Sequence, residues 1–491
     1  MATARPPATL VDLCLHQADR HGPAVAIVDD HRAVSYAQLA AAALRAARSL
    51  IALGVRPGDR VLLSAPNSVD WVIACFSTLL AGAVCAPVNH RAGPDERVRV
   101  TGTHAPAAVI GDPTVWSHAG VPVIAPDRLV PATEGPGVSL PSVLPSDTAV
   151  VLQTSGTTGQ ATSVPMRHGA LLDLYTALTP RLGLTPDDVL LGVAPLAHGF
   201  GLFGVLLDAL LAGASVRLVG RYDRTLIAQT VRDEGITALF APPTVFHDLR
   251  VDGRRLGPVC RMALTGGAEV SLERFHQTCD LLGVERRYVG YGMTEAYGTI
   301  AFGDVTDVVG ATPLMTPMPG LDLRIVDHDG ADVPPGGHGE VLVRGASVVP
   351  GPDGWLHTGD LGRLSASGEL CILSRLSDTL MVSGFNIRPG EVEDVLREGL
   401  DVEDAIVVGL PDARSGERLV GCVVPAGGRV IDPAALREHC RDRLADYKVP
   451  TVLMAVDALP TTSTGKLSRA AARELVLAHL EPQGDRADQP S

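Results

Sequence analysis

Four short segments of this chain carry the residue types best suited to chemistry. Thr154-Ser155-Gly156-Thr157-Thr158-Gly159 follows an apolar, strand-like run at Ala149–Leu152. Its glycines free the backbone. Its hydroxyls and successive N–H groups can wrap an anion, which suits a polyphosphate. It is not the GxxxxGK[ST] loop, because no lysine stands in it. Gly290-Tyr291-Gly292-Met293-Thr294-Glu295 sets a tyrosine between glycines, where the ring can meet a flat base. The Thr–Glu pair behind it can hold a phosphate oxygen and Mg²⁺. His357-Thr358-Gly359-Asp360, just after Trp355, offers an exposed Asp behind a Gly turn as an acceptor for ribose hydroxyls. Leu459-Pro460-Thr461-Thr462-Ser463-Thr464-Gly465-Lys466 is a Gly-containing loop whose lysine can reach a developing negative charge. Taken singly, each segment also reads as an ordinary turn.

The lysine is informative because lysine is scarce. Of the 41 Lys+Arg residues only two, Lys448 and Lys466, are lysines. A GC-rich genome accounts for the bias as a whole. Arginine replaces lysine readily on a solvated face, but not where a compact ammonium must enter a narrow site. The formal net charge of −14 argues against nucleic acid and anionic membranes as partners. No apolar run approaches the roughly 20 residues of a spanning helix, and Met1–Leu10 lacks the features of a signal peptide. The eight cysteines form no CxxC pair, so neither a zinc site nor a disulfide framework is expected. The expected location is cytoplasmic.

The elements that must position these segments alternate in type. Ala24–Val28, Arg60–Ser64, Gly82–Pro87, Val189–Ala194, Ala214–Val219 and Ala238–Ala241 read as short strands. Tyr36–Leu53, Val72–Ala81 and Thr225–Glu234 read as helices between them. This alternation predicts layered α/β structure with largely parallel sheets. After about Leu321 the pattern changes to strands with Gly/Pro turns, at Leu323–Val326, Gly339–Arg344 and Glu369–Leu373. A compact α+β tail follows. The boundary is placed near Asp378, giving domains 1–378 and 379–491.

In this order, the four segments resemble the superfamily of acyl-CoA synthetases, peptide-synthetase adenylation domains and luciferases. The early Val34-Ser35-Tyr36-Ala37-Gln38-Leu39 and Gly54-Val55-Arg56-Pro57-Gly58-Asp59-Arg60-Val61 patterns and Thr265-Gly266-Gly267-Ala268-Glu269 extend the resemblance from about Asp12 to about Leu475. It implies a large N-terminal domain and a small mobile C-terminal domain, with the hinge at Asp378 in Arg375-Leu376-Ser377-Asp378. It implies that Thr154–Gly159 hold the ATP phosphates, and that Gly267, Ala268, Tyr291 and Gly292 enclose adenine. Thr294 would then contact the α-phosphate and Glu295 the magnesium. Asp360 and Arg375 would bind ribose, and Lys466 would bridge the carboxylate and α-phosphate oxygens. Ser383–Glu393 is similar to the acyl-CoA synthetase branch. Pro195–Gly201 resembles that branch's acid-pocket motif, which implicates His198, Gly199 and Phe200 in holding the acid; Gly290 is assigned to the same substrate site.

The resemblance therefore implies ATP-dependent adenylation of a small aryl or short-chain acid, release of pyrophosphate and transfer to CoA. Three departures bear on the acceptor. The family's X-Pro-Lys-Gly continuation reads Gln160-Ala161-Thr162-Ser163 here, so pyrophosphate binding is weaker or Arg167 substitutes. The segment between Arg344 and Trp355 is short, and Ser383 stands where glycine is common. Transfer to an amine or a separate carrier protein stays open, as does adenylation of nitrite for diazotisation of an aryl amine.

Overall fold

The computed structural model describes residues 6–129, 138–154, 162–251, 260–268, 270–308, 312–378, 380–382, 385–387, 389–399, 401–412, 416–461 and 467–480. Strands and helices alternate through the first half, as expected. The helix Leu10–His21 starts at a capping box made by Thr9 and Asp12. The helix Tyr36–Ala52 starts at one made by Ser35 and Gln38. Val69–Leu80 begins three residues before the expected Val72, because Ser68 accepts from the Trp71 amide and fixes the first turn further upstream. Every helical residue of that segment except Asp70 is buried.

Two large sheets form. The nine-stranded one runs Thr316–Pro317, Gly298–Asp304, Arg286–Met293, Met262–Gly266, Ala238–Ala241, Val189–Gly192, Ser215–Leu218, Val25–Val28, Ala33–Ser35. Its middle strands, from Arg286–Met293 to Val25–Val28, are all parallel. The six-stranded one runs Val123–Ile124, Ala108–Gly111, Arg60–Ser64, Val84–Pro87, Thr148–Thr154, Thr162–Arg167. One apolar core joins Ile27, Val216 and Phe240 of the first sheet to Val61, Ile110 and Val150 of the second, with Trp71, Leu50 and Leu171 of the helices between them. That is the layered α/β arrangement expected from the sequence.

At the amino ends of three parallel strands lies a buried carboxylate. Asp188, one residue before Val189–Gly192, accepts from Arg261 Nε at 2.7 Å, Thr237 Oγ1 at 2.7 Å and the Thr185 amide at 2.8 Å. Thr237 and Arg261 stand just before Ala238–Ala241 and Met262–Gly266, so one side chain registers three strands.

Beyond Leu321 come a four-stranded sheet, in the order Leu321–Val326, Gly339–Gly345, Leu356–Leu364, Leu370–Arg375, and a five-stranded one. In the latter the long hairpin Val402–Asp412/Gly416–Pro425 pairs with Leu380–Val382 and Val452–Ala455. The helix Pro389–Glu398 contributes Val392 and Leu396 to its core. By contact density the chain divides into one unit of 1–324, 342–357 and 365–371, and a second of 325–341, 358–364 and 372–491.

Candidate active site

In open parallel sheets ligands gather at the carboxyl ends of the strands, and the first unit places its candidates there. Gly266 closes the strand Met262–Gly266 and pairs with Gly290 across the ladder. A Cβ on Gly266 would stand 2.2 Å from the Gly290 carbonyl, so only glycine permits this backbone approach. Gly267 and Ala268 follow directly, and Gly267 is exposed. Tyr291 and Gly292 end the neighbouring strand, half-buried, and lead into a single 3₁₀ turn, Thr294–Ala296. Glu295 donates no side chain to the core. Its carbonyl accepts the Val349 amide at 2.8 Å, which fixes the turn's backbone and leaves the carboxylate half-exposed.

His198 follows the strand Val189–Gly192 at the same edge. Its Nδ1 accepts the Phe200 amide at 3.2 Å, so the neutral ring carries its hydrogen on Nε2. Gly199 and Phe200 open a π-helix, Phe200–Leu207, a wide form concentrated at functional sites. Gly199 backs onto Leu152, with 3.5 Å from an added Cβ to its Cδ1; Leu152 lies two residues before Thr154. The acid-pocket candidates and the strand feeding the phosphate loop are thus neighbours. Thr154 is paired with Thr162 in the hairpin; Ser155, Gly156, Thr157, Thr158 and Gly159 lie outside the described residues.

Arg167 stands away from the position of the missing loop lysine. It pairs with Thr148 at the other end of the same hairpin, about 17 Å along the strand from Thr162. Its guanidinium donates to the Ala346 carbonyl at 3.0 Å.

In the second unit, Asp360 and Arg375 are brought together, with Arg375 Nε 2.9 Å from Asp360 Oδ1. The expectation of an exposed Asp in a turn is corrected. Residues 356–364 form a strand, and the Asp360 side chain is only 5% exposed, because sheet pairing buries it. Arg375 also donates to the Thr358 carbonyl at 3.3 Å, and Thr358 to the Val341 carbonyl at 2.8 Å. Asp378 accepts from Arg469 Nε at 3.3 Å. The same guanidinium meets the buried Glu393 and donates to the Val407 carbonyl at 3.1 Å. Lys466 lies outside the described residues. The other lysine, Lys448, is 2.6 Å from Glu391 in an ion pair.

One positioning residue was not visible in the sequence. Asn67 Nδ2 donates to the Gly192 and Ala194 carbonyls at 3.2 and 2.9 Å, and its Oδ1 accepts the Leu196 amide at 2.9 Å. It clamps the turn that carries His198 from more than a hundred residues away, so no local pattern announces it.

Residues 14–351 match the family model described as AMP-binding enzyme, and residues 391–466 match the AMP-binding enzyme C-terminal domain. Feruloyl-CoA synthase from an Amycolatopsis species is 34% identical over 477 residues, covering 92% of this chain and 95% of that protein. ATP-bound MatB from Rhodopseudomonas palustris superposes with a TM-score of 0.85 at 26% identity, covering 95% of this chain and 98% of that one. O-succinylbenzoate coenzyme A synthetase from Bacillus subtilis, in complex with ATP and magnesium ion, gives 0.82 at 27% identity, covering 93% and 98%. No described helix is long and apolar enough to cross a membrane.

Proposed function

The chain belongs to the AMP-binding enzyme family and is an AMP-forming ligase of the acyl-CoA synthetase kind; from that premise we propose that it adenylates a small aryl or short-chain carboxylic acid and passes the acyl group to CoA. The observation that carries this reading is the gathering of Gly266–Ala268, Gly290–Glu295 and His198–Phe200 at one sheet edge, beside the strand that leads to Thr154. The relative named feruloyl-CoA synthase supports an aryl acid and a CoA acceptor.

In the first half-reaction a carboxylate oxygen attacks the α-phosphorus of ATP, and the bond to pyrophosphate breaks. Two anions approach each other, so the site must supply positive charge that is strongest in the transition state. Lys466 fills that role. Thr294 donates to the α-phosphate, Thr154–Gly159 hold the leaving phosphates, and Gly267, Ala268, Tyr291 and Gly292 enclose the base. Asp360, its charge balanced by Arg375, accepts from the ribose. Glu295 fits Mg²⁺, being a hard carboxylate in a turn whose backbone is already fixed. When bound, the ion offsets charge on the phosphates. His198, Gly199, Phe200 and Gly290 line the acid. In the second half-reaction the CoA sulfur attacks the acyl carbon and AMP leaves. Both nucleophiles need the same space in turn, so residues 379–491 act as a mobile domain with Asp378 as its hinge. Asp378→Pro, which fixes φ and removes an N–H, should impair one half-reaction far more than the other; equal loss with normal folding places the hinge elsewhere.

The test is a pyrophosphate-release screen over aryl, short aliphatic, amino and dicarboxylic acids, and nitrite, each with and without CoA. Loss of free thiol then reports CoA ligation. The protein's own thiols do not interfere. All eight cysteines are buried and free, and burial pushes Cys14, Cys260 and Cys279 up to about 12 and Cys422 and Cys440 up to about 11. Pyrophosphate release without thiol loss would redirect the acyl group to an amine or carrier protein. No release with any acid would overturn the reading.

A further inference from the structure

Directly after the Thr294–Ala296 turn the backbone does something costly. Tyr297 adopts φ 55°, ψ 20°, the left-handed region, where a side chain costs roughly 1–2 kcal/mol. Glycine would adopt it freely, and the next residue, Gly298, is one. Strain of this kind persists where the surroundings over-determine it, and they do here. The Tyr297 amide donates to the Thr294 carbonyl at 3.0 Å, which closes the turn. The Tyr297 carbonyl accepts from the Tyr175 hydroxyl at 3.3 Å. The Tyr297 hydroxyl donates to the Pro165 carbonyl at 2.9 Å, with the ring 4% exposed. Gly298 allows this junction, since a Cβ there would meet the Tyr175 hydroxyl at 2.2 Å.

The partners show what is fixed. Pro165 lies on Thr162–Arg167, the edge strand of the six-stranded sheet and the return strand of the phosphate-loop hairpin. Tyr297 lies in the hairpin that presents Thr294 and Glu295 from the nine-stranded sheet. One phenol therefore joins the two sheets that carry the two halves of the nucleotide site. We infer that Tyr297 is a positioning residue. It sets the spacing between the Thr294–Glu295 turn and the return strand Thr162–Arg167, and the strain in its backbone is retained because only a side chain with its reach makes that link. Its target is nucleotide binding, not the acid pocket. This rests on the nucleotide-site reading above.

The test uses the full chain, Tyr297→Phe and Tyr297→Gly. Tyr297→Phe keeps the ring and its packing and removes only the hydroxyl. Tyr297→Gly relieves the strained φ and removes the link altogether. Mg·ATP binding, KM for ATP, KM for the acid and Tm are measured for each. A buried hydrogen bond is worth about 0.5–1.5 kcal/mol to the fold, which sets the ceiling: Tyr297→Phe should weaken Mg·ATP binding measurably, by up to roughly 13-fold, and leave the KM for the acid unchanged. Tyr297→Gly should weaken it further. Lower Tm with wild-type Mg·ATP binding in both variants would make Tyr297 structural only and overturn the inference. If the wild-type chain itself fails to bind Mg·ATP, the nucleotide-site reading falls, and this inference with it.

Discussion

The two ends of the same parallel strands are built in opposite ways. At the amino ends of Val189–Gly192, Ala238–Ala241 and Met262–Gly266, a buried carboxylate pins the chain. Asp188 is 2% exposed and takes hydrogen bonds from Arg261, Thr237 and Thr185. Burial alone would raise its pKa, but those bonds outweigh it and hold the carboxyl below its usual range. At the carboxyl ends the contacts are between backbones, through Gly266 and Gly290, and the side chains beside them are a tyrosine ring, hydroxyls and a half-exposed carboxylate. Asp188, its charge satisfied by Arg261, contributes to the fold. The other end is floored by glycine, where the backbones meet. The amino end carries register, and the carboxyl end is where the proposed chemistry is placed.

That contrast can be broken from either side. The largest effect should come from Asp188→Ala, which leaves Arg261, Thr237 and Thr185 without their shared acceptor. Hydrogen bonds to a charged group are worth about 1.5–3 kcal/mol each, and this substitution removes several at once. Urea unfolding should show it, while the folded fraction keeps its KM values for ATP and acid. A large kinetic change with unchanged stability would reverse the assignment of the two ends.

The opposite pattern is expected at the carboxyl end. Lys466→Ala should cut pyrophosphate release by at least about 2–3 kcal/mol, on the scale of one preorganised contact in the transition state. ATP binding and Tm should stay near wild type. Glu295→Gln should shift the Mg²⁺ dependence in the same way. Overlapping Mg²⁺ titrations would remove Glu295 from the metal site.

The third prediction concerns pH. Asp208 follows the π-helix and is fully buried. Thr179 Oγ1 lies 2.8 Å from the Tyr175 carbonyl and 2.5 Å from Asp208 Oδ1. The Thr179 hydroxyl donates to Asp208 Oδ1, which favours the charged carboxylate, but burial outweighs that bond. Burial pushes its pKa up to about 8. A raised carboxyl pKa means that the folded state holds a proton the unfolded state has lost. Stability should therefore fall between about pH 4 and pH 8, by up to about 1.4 kcal/mol per pH unit. Asp208→Asn should flatten that fall. His168 acts in the other direction. Burial lowers its pKa to about 4, so its contribution is lost as pH drops below its ordinary value of 6.5. A Tm profile of Asp208→Asn parallel to wild type from pH 5 to 8 would mean that Asp208 is charged in the folded protein.

The smallest effect is expected from Thr162→Lys. Thr162 is exposed at the start of the return strand, where the family carries its loop lysine. One added charge near a polyphosphate, partly screened, should lower the KM for ATP about 2- to 5-fold, under about 1 kcal/mol, and leave acid preference unchanged. A changed ranking among acids with constant ATP kinetics would place Thr162 elsewhere.

What could be read from the sequence follows from how far each feature reaches along the chain. Ala238–Ala241 and Arg60–Ser64 have the bounds expected, because a strand's apolar run and flanking turns are local. The turn at Gly290–Glu295 was legible for the same reason: two glycines, a hydroxyl and a carboxylate stand within six residues. Asp360 was misread as exposed because its burial comes from pairing within the four-stranded sheet, not from its neighbours in sequence. Asn67 and Tyr297 could not have been found this way. Their partners lie 125–132 residues off, and an Asn before a helix or a Tyr after a turn signals nothing by itself. Arg167 stands five residues down the strand from Thr162, a separation that the pairing with Thr148 sets.

The scarcity of lysine turns into an experimental property. Lys448 is committed to Glu391, and the remaining lysine is the one assigned to chemistry. A sample labelled isotopically through lysine would show two side-chain signals. One comes from an ammonium held in an ion pair and serves as an internal reference. The other reports Lys466 alone. Its chemical shift could then be followed through addition of ATP, acid and CoA without mutagenesis, a spectral simplicity that few enzymes of this length offer.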